Sequence, residues 1–583
     1  WDCGEFVLGA YKLQVVHPPG APFFIIIGRM FAWIADLLSD NPSYIAFAVN
    51  LMSAMCSALA SMFVCWITMM FGRVALFGRD YNNENNESWA VLGAGLVAGL
   101  STGYISTTWF SAVEGEVYSM STMFTTMTMW AAMKWYYLED NPKNDKWLLF
   151  AVFAVGLSTG VHLLSVLAFP TIAILYYYKR YQKHSWLGMF IAAFAGIVAI
   201  FLFQILIITG IPNLWSFYEK LCVNSFGMPF HFGLIPTIIT IVLAAYYLLR
   251  YFKNKGNDLM HKVVFTLVLL AISYSTVGVV IIRANAKPPV NMNDPYDVMR
   301  LIPYLNREQY GDRSLLKGPT FDAKPIDTKA EDRWGRVGNQ YKVVDQKYDY
   351  EFREKDKIMF PRISHSDQGR PTLYRMWMEY LQGSKTGPPS MAFNLKFMFS
   401  YQFGWMYWRY FLWNFVGRQN GEQGFYPWIN KDGNWYSGIN AVDNNRLYNQ
   451  SQLPRVIRED PSRNRYYFLP LILGILGVIF HFKRDRNDFM ALLSFFILTG
   501  IALCVFNNSP PNEPRERDYV LEGSFLTFCI WIGMGVLFLT NLLTERLKLS
   551  ASVSGISASA FGLLVPLVLV TQNFDDHSRM KSH

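Results

Sequence analysis

Residues 186–209 read WLGMFIAAFAGIVAIFLFQILIIT, a run without any charged side chain. A helix of about 20 apolar residues is long enough to cross the hydrocarbon core of a bilayer, which is about 30 Å thick. Comparable runs recur along most of the chain. The stretch therefore predicts one membrane-spanning helix, and its repetition predicts a polytopic membrane protein.

The composition of the whole chain agrees with this prediction. Of 583 residues, 52% are hydrophobic and only 16% are charged, whereas an ordinary soluble domain has roughly 25% charged residues. The net charge is +9, but the basic residues cluster in short loops between apolar runs, where membrane topology explains them. We expect no nucleic-acid partner.

The apolar runs predict an all-α fold with about twelve visible transmembrane helices. The long run 147–178 is interrupted at Ser158–His162 and predicts two short helices that meet at a turn. Segment 21–38 is shorter and carries Arg29 and Asp36, so we expect it to lie in the interface or to dip into it. The remaining spans are expected near 44–70, 89–110, 116–137, 186–209, 233–251, 263–282, 466–482, 489–506, 519–543 and 551–570.

The short loops divide sharply by their content of lysine and arginine, which accumulate on the cytoplasmic side of a membrane. One set of loops is rich in both, and the opposite short loops hold only Lys220, Arg515 and Arg517. Because a chain cannot begin on the far side without being translocated, we expect a span or signal upstream of Trp1. The segments predicted to be extracytoplasmic are Trp1–Pro19, 103–117, 283–465 and 507–518.

This topology predicts five regions. Within the large polar region, Phe397–Val416 is crowded with aromatic residues and is predicted to lie at the lipid headgroups. The alternative is that this segment binds a sugar or a lipid headgroup directly. The regions are a first extracytoplasmic loop with interfacial helices (1–43), an N-terminal transmembrane bundle (44–282), an extracytoplasmic domain (283–465), C-terminal transmembrane helices (466–570) and an extracytoplasmic tail (571–583).

Metal and nucleotide motifs are weak in this chain. Of six cysteines, only Cys3 and Cys222 are plausible thiols at an aqueous face, and no C-x-x-C spacing occurs. Gly93, Gly95 and Gly99 do not follow a strand and are better explained as small residues that let helices approach closely. We expect no structural zinc and no nucleotide fold.

The N-terminal acids Asp2 and Glu5 are the best candidates for chemistry. Carboxylates three residues apart fall on one side of a helix or turn. The His17-Pro18-Pro19 step is predicted to end that element in an extended segment that points away from it. The pair suits acid/base catalysis; a solvated loop with a helix-capping acid is the alternative.

Four further candidates lie on the same side. Glu114 and Glu116 sit between two spans without a basic neighbour in sequence, and such carboxylates are best tolerated facing a water-filled cavity or a cation. His17 is either a polar loop residue or a ligand for a phosphate or for one of the acids. His162 is either a satisfied interior histidine or part of the same site.

Three arginines could hold a phosphate. Arg283 ends one span, and Arg515 and Arg517 stand with Asp518 directly before another. A guanidinium group can clamp a phosphate with two hydrogen bonds, or it can simply snorkel to lipid headgroups. We predict that the acids and these arginines converge on one extracytoplasmic pocket, beside an opening for an isoprenoid chain.

These residue types suit the transfer of a sugar from a polyprenyl phosphate. A carboxylate takes the proton of an acceptor hydroxyl while cations hold the departing phosphate. The acceptor is left open between protein, glycan and another lipid, and a divalent cation is possible but not required by any ligand spacing. A non-catalytic scaffold or a transporter subunit is the rival; a transporter is expected to show repeated halves, and we find none.

Asp2-Cys3-Gly4-Glu5 followed by His17-Pro18-Pro19-Gly20-Ala21-Pro22 resembles the first external loop of the GT-C superfamily of membrane glycosyltransferases. The pattern is similar to the bacterial protein O-mannosyltransferase-like branch. Further matching stretches are Glu116–Ser119, Arg283–Pro289, Tyr304–Asp312, Tyr407–Tyr410 and Pro514–Tyr519. The resemblance implies a GT-C-like bundle in the inner membrane, a periplasmic active face, and an inverting transfer with Asp2 as the base.

Overall fold

The computed structural model of the chain describes residues 2–79, 88–311, 314–367 and 369–578. Trp1, Asp312 and the last five residues of the expected tail lie outside these ranges. The described chain is mostly helical, as expected. In order, its α-helices are α1 (Cys3–Lys12), α2 (Pro22–Leu38), α3 (Ser43–Phe77), α4 (Trp89–Tyr104), α5 (Ser106–Ala112), α6 (Val117–Tyr137), α7 (Asp145–Thr159), α8 (Phe169–Arg180), α9 (Trp186–Phe203), α10 (Gly210–Lys220), α11 (Leu234–Asn254), α12 (Asp258–Tyr274), α13 (Gly278–Asn285), α14 (Val298–Leu305), α15 (Arg370–Gln382), α16 (Met391–Phe397), α17 (Arg409–Phe415), α18 (Asn440–Arg446), α19 (Arg455–Arg458), α20 (Leu469–Arg484), α21 (Arg486–Thr499), α22 (Ile501–Asn507), α23 (Glu522–Leu547), α24 (Ala551–Gly562) and α25 (Leu564–His577).

Two small antiparallel sheets interrupt the helices, so the expectation of an all-α chain is wrong in detail. The short strands β1 (Lys317–Pro319) and β4 (Lys357–Met359) pair with each other. The longer strands β2 (Pro325–Val337) and β3 (Gln340–Phe352) form a hairpin closed by Gly338 and Asn339. Gly338 has a φ of +60°, a conformation that glycine adopts readily and that two-residue hairpin loops require.

Residues 1–53, 115–312 and 325–352 pack as one compact unit, here called the first unit. Its helices α6, α7 and α12 pack side by side, as do α8 with α9 and α1 with α2. Gly156 permits the contact of α7 with α12, because a Cβ atom there would lie 1.8 Å from Ser273 Oγ. The β2–β3 hairpin also belongs to this unit.

Residues 54–114, 313–324 and 353–583 form the second unit. Its centre is α23, which packs against α4, α20, α21 and α24. Nearly every residue from Ser524 to Leu537 is buried, as expected for a helix that is apolar on all faces.

The glycines of α4 confirm the interpretation of close helix packing in the second unit. A Cβ atom on Gly93 would lie 1.8 Å from Ser559 Oγ, and one on Gly99 would lie 3.0 Å from the Ser61 carbonyl oxygen. Small residues are thus needed where α4 meets its neighbours.

Seven described helical stretches are long and apolar enough to cross a membrane, or eight if the pair α4 and α5, bent by 63°, forms one span. The chain is therefore a multi-pass membrane protein, with fewer qualifying spans than the twelve expected. Helices do occur at the remaining expected positions. However, α20 has 16 residues and reaches only about 24 Å, and α6 is rich in serine and threonine.

The predicted break in 147–178 is confirmed. Helix α7 ends at Thr159, a 3₁₀ segment follows at Leu163–Ala168, and α8 begins at Phe169. The expected interfacial segment 21–38 forms the single helix α2. Its position relative to a membrane stays a prediction.

The aromatic segment Phe397–Val416 forms the end of α16, a π-helix (Met398–Trp408) and α17. Most of its aromatic side chains are buried within the second unit, including Tyr401, Trp405 and Tyr407. Phe399 and Trp408 remain exposed. Packing inside this unit thus accounts for most of the aromatics that suggested a headgroup belt.

The two units divide the chain by packing, and this division does not follow the five regions expected from topology. Residues 283–311 and 325–352 pack with the first unit, whereas 353–465 pack with the second. The extracytoplasmic position of these residues and of the tail stays a prediction.

Candidate functional site

The N-terminus of α1 carries the two predicted catalytic acids in the first unit. Asp2 immediately precedes the helix and Glu5 lies in its first turn, where the partial positive charge of a helix end favours carboxylates. The buried face of α1 packs on α2 through an edge-to-face contact of Phe6 with Phe24, with ring centroids 5.4 Å apart. This packing fixes the position of the acids.

Glu5 and His17 form the closest contact of the site. Glu5 Oε1 accepts the backbone N–H of His17 at 2.7 Å, and Oε2 lies 2.9 Å from His17 Nδ1. The prediction that the segment after α1 points away from it is therefore wrong. Leu13 ends the helix in a left-handed conformation, and the chain then returns to place His17 on Glu5.

The charge of Glu5 is set by opposing effects. Burial and the neighbouring carboxylate of Asp2 raise the pKa of Glu5, but the hydrogen bonds and charge of His17 outweigh them and hold this pKa below its ordinary value. Since the ionised carboxylate only accepts hydrogen bonds, Nδ1 of His17 is the donor. Nε2 is the ring nitrogen that this contact leaves unused.

Glu116 fixes the main chain of Asp2. It directly precedes α6, is 5% exposed, and accepts the Asp2 backbone N–H on Oε1 at 2.9 Å. The adjacent Gly115 N–H points to Cys3 Sγ at 3.2 Å. The structure thus places Glu116 beside Asp2 as a positioning group.

His162 lies in the break after α7, outside the seven spans. Its ring centroid is 5.6 Å from that of Tyr118. Its Nδ1 atom is buried and has no hydrogen-bond partner among the described residues. Burial, together with the charges of Arg307 and His17, lowers the pKa of His162 to about 4. The neutral imidazole is therefore favoured at pH 7.

Arg283 lies at the opposite end of α1 from Asp2. Its Nε donates to the Leu13 carbonyl at 2.7 Å, and Nη2 donates to the Lys12 carbonyl at 3.1 Å. These carbonyls lack partners within the helix, so Arg283 caps α1. The ten-residue helix separates it from Asp2 by about 15 Å along the axis. A phosphate contact of Arg283 stays a prediction.

A small recess lies beside Arg283 in the first unit. Tyr304 borders it and donates its hydroxyl to the Val16 carbonyl at 2.5 Å, directly before His17. Its lining consists of Gln14, Val15, Val16, Gly20, Ala21, Pro22, Ile25, Val279, Val280, Arg283 and Tyr304.

The sequence analysis did not select Tyr304 or Arg307. Arg307 follows α14, has a φ of +57° and is exposed. Its guanidinium lies 4.9 Å from the centre of the Tyr310 ring. Both residues belong to the quoted motif Tyr304–Asp312, which was the available signal.

The other predicted arginines belong to the second unit. Arg517 donates to Glu513 Oε2 at 2.8 Å, and its Nε is buried without a partner among the described residues. Arg515 lies over the Tyr519 ring at 5.3 Å. Asp518 accepts the Thr107 hydroxyl at 2.5 Å. Convergence of these groups with Asp2 stays a prediction.

A buried ion pair in the second unit joins two further motif stretches. Arg409, 2% exposed, contacts Glu516 through Nη1 at 3.1 Å and Nη2 at 2.7 Å. Tyr410 donates to the same carboxylate at 2.5 Å. Burial raises the pKa of Glu516, but Arg409 holds it below its ordinary value. Arg409 and Tyr410 together thus hold the Glu516 carboxylate in place.

Glu114 is partly buried and follows α5 in the second unit, so the two acids of the 114–116 loop do not belong to the same packing unit. Within the described ranges, no group of three or more histidine, cysteine, aspartate or glutamate side chains could hold a metal ion. A divalent cation therefore finds no preformed protein cage in that part of the chain.

The N-terminal third of the chain is similar to known proteins. Residues 2–185 match the family model "Protein O-mannosyl-transferase TMEM260 N-terminal domain", and residues 311–399 match "Family of unknown function (DUF8416)". The first match contains Asp2, Glu5, His17, Glu116 and His162.

Two relatives carry the same description. The "Protein O-mannosyl-transferase tmem260" of Dictyostelium discoideum is 30% identical over 135 residues, which is 23% of this chain and 14% of that protein. The "Protein O-mannosyl-transferase TMEM260" of Mus musculus is 23% identical over 157 residues, 27% of this chain and 19% of that protein. The match therefore spans less than a fifth of either relative.

Proposed function

We propose that this chain is a membrane glycosyltransferase that moves mannose from a polyprenyl-phosphate donor to a hydroxyl group of a protein. The observation that carries the proposal is the cluster of Asp2, Glu5 and His17 at the N-terminus of α1. It lies within the residues similar to the N-terminal domain of a protein O-mannosyl-transferase. The GT-C resemblance supports the lipid-linked donor.

Asp2 acts as the general base in this proposal. Its carboxylate accepts the proton of the acceptor hydroxyl as the hydroxyl oxygen attacks the anomeric carbon of the sugar. The bond from that carbon to the phosphate oxygen breaks, and the polyprenyl phosphate leaves with the bonding electrons. Attack opposite the leaving group inverts the anomeric configuration.

Glu5 and Glu116 hold the reacting groups in place. The ionised Glu5 fixes the orientation of His17, whose Nε2 is then available to a polar group of the substrate. Glu116 fixes the Asp2 main chain. Such positioning is effective because small displacements of reacting groups slow a transfer strongly.

We place the reaction at the extracytoplasmic face of the inner membrane, in a GT-C-like bundle. The distribution of lysine and arginine among the short loops supports this face.

Replacing Asp2 by Asn tests the proposal. The purified variant, given a mannosyl polyprenyl phosphate and an acceptor peptide, should transfer mannose about 10²- to 10⁴-fold more slowly than the wild type. Asp36→Asn is the matched control, because Asp36 is an exposed carboxylate of α2 that accepts a hydrogen bond from the Tyr11 hydroxyl. Equal transfer by the Asp2→Asn variant and the wild type would refute the proposal.

A further inference from the structure

Arg307 follows α14 in the first unit and has no assigned role in the proposed transfer. Its guanidinium is exposed and stacks on Tyr310. Within the described part of the chain, no ion pair engages it. By contrast, the neighbouring Arg333 and Arg336 are each paired with a carboxylate.

The location of Arg307 is fixed by its neighbours. Three residues earlier, Tyr304 is 1% exposed and bonds the Val16 carbonyl next to His17. The backbone N–H of Arg307 donates to the Tyr304 carbonyl at 3.2 Å. The charges of Arg307 and His17 both act on His162. Arg307 thus follows by three residues the tyrosine that contacts the segment carrying His17.

The β2–β3 hairpin forms ion pairs at both ends of α14. Arg336 of β2 pairs with Asp297 Oδ2 at 3.0 Å, and Asp297 is fully buried and caps the N-terminus of α14. Arg333 of the same strand pairs with Glu308 Oε2 at 2.5 Å, directly after Arg307. One strand therefore fixes the helix start and the turn that carries Arg307.

The hairpin is itself anchored near its turn. Tyr341 exchanges two backbone hydrogen bonds of 2.8 Å with the Asn224 side chain, and its hydroxyl donates to Glu219 Oε1 at 3.2 Å. Glu219 is fully buried. The part of the hairpin that holds Arg333 and Arg336 is thus docked, although most of β2 is exposed.

We infer that Arg307 contacts the phosphate of the donor and that the β2–β3 hairpin positions it through Arg333 and Glu308. The Arg307 guanidinium forms no ion pair within the described chain, and its backbone is held in place. Such a planar group can donate two parallel hydrogen bonds to two oxygens of one phosphate. The left-handed backbone at Arg307 is sparsely populated by residues other than glycine and occurs where surrounding contacts determine it. This inference deepens the proposed function and rests on it for the identity of the donor.

Direct binding tests the role of Arg307. The probes are a short-chain polyprenyl phosphate, the corresponding polyprenol, and inorganic phosphate, each titrated into the purified protein in detergent. Arg307→Gln should weaken binding of the polyprenyl phosphate by about tenfold to a hundredfold and leave polyprenol binding unchanged. Arg300→Gln, on an exposed arginine of α14, is the control.

The outcomes separate this inference from the proposed function. Unchanged binding of polyprenyl phosphate by Arg307→Gln overturns the inference, even if Asp2→Asn abolishes transfer. If binding of polyprenyl phosphate depends on Arg307 but the wild type transfers no mannose, the inference is supported and the proposed function is refuted. Inorganic phosphate could also displace polyprenyl phosphate when both are at the same concentration, and this phosphate binding could be lost in Arg307→Gln. That result would identify a site for free phosphate and overturn the assignment to a donor.

Variants of Arg333 test whether the hairpin positions Arg307. Arg333→Gln should weaken polyprenyl phosphate binding severalfold, Arg333→Lys should restore it, and Lys329→Gln on the same strand should have no effect. In the Arg307→Gln background, Arg333→Gln should cause no further loss, because both changes act through one contact. An additive loss would contradict positioning through Arg307.

Discussion

At the residue scale, the contact between Glu5 and His17 explains why the two halves of the N-terminal motif occur together. A carboxylate in the first turn of α1 and a histidine twelve residues later meet at 2.9 Å. The pair closes the segment between them into a compact loop, which fixes the helix end that carries Asp2.

Glu5→Gln is expected to destabilise the protein by about 1 kcal/mol at pH 7. Because the folded pKa of Glu5 is below its ordinary value of 4.5, its stabilising effect is present above pH 4.5 and is lost as the pH falls through the folded value. The difference in thermal unfolding between variant and wild type should therefore shrink toward pH 3. Glu331→Gln, on the exposed part of β2, serves as the control; a difference independent of pH would contradict the assignment.

His162 should make the protein sensitive to mild acid. Its pKa falls from 6.5 to about 4 on folding, so the unfolded chain takes up a proton first as the pH drops. Stability is then lost progressively from about pH 6.5 to pH 4. His162→Gln should flatten this part of the stability curve in detergent, and replacement of the exposed His184 should not. An unchanged curve for His162→Gln would show that His162 does not titrate in this way.

Sequence reasoning at this scale selected Asp2, Glu5, His17, Glu116 and His162, which the structure assembles in one unit. It selected Asp2 and Glu5 as carboxylates three residues apart and Glu116 as an acid at a membrane boundary. It did not single out Arg307 within the quoted stretch Tyr304–Asp312, because the sequence does not show which residue of that stretch lies near the N-terminal motif. The fold shows that the turn carrying Arg307 is held by Arg333 and follows the tyrosine that contacts Val16.

At the scale of elements, close helix contacts depend on glycine. In the second unit, a Cβ atom on Gly477 of α20 would lie 1.7 Å from the Trp531 carbonyl oxygen of α23. No side-chain movement relieves a clash with a main-chain oxygen in a packed core.

Gly477→Ala should therefore lower the free energy of unfolding by about 3 kcal/mol. Gly278→Ala provides the control, because a Cβ atom there meets nothing within 4 Å and alanine favours a helix by up to about 1 kcal/mol. Thermal unfolding of both variants in detergent measures the difference. Equal stability of the two variants would contradict the packing described for α20 and α23.

The helices were largely predictable, and the hairpin was not predicted. Long apolar runs and the break after Ser158 follow directly from hydropathy. The hairpin carried a usable signal, since Gly338-Asn339 separates a run that ends with Trp334 and Val337 from a run rich in tyrosine and valine. Its charged, exposed strands resemble a polar loop in composition, and composition alone therefore did not reveal them.

At the scale of the whole molecule, topology and packing divide the chain differently. The sequence divides by polarity, which reflects the membrane, whereas the compact units divide by contacts between distant segments. The polar region 283–465 accordingly contributes to both units. Composition cannot predict such a division, because it depends on which helices each polar segment meets.

In the whole molecule, we expect the reacting sugar to bind at the N-terminus of α1. An experimental structure of the protein with a non-cleavable phosphonate analogue of mannosyl polyprenyl phosphate tests this claim most directly. We expect the anomeric carbon beside the Asp2 carboxylate, with Glu5 and His17 next to the sugar and the phosphonate at Arg307. Density for the analogue with its sugar remote from Asp2, Glu5 and His17 would contradict the account.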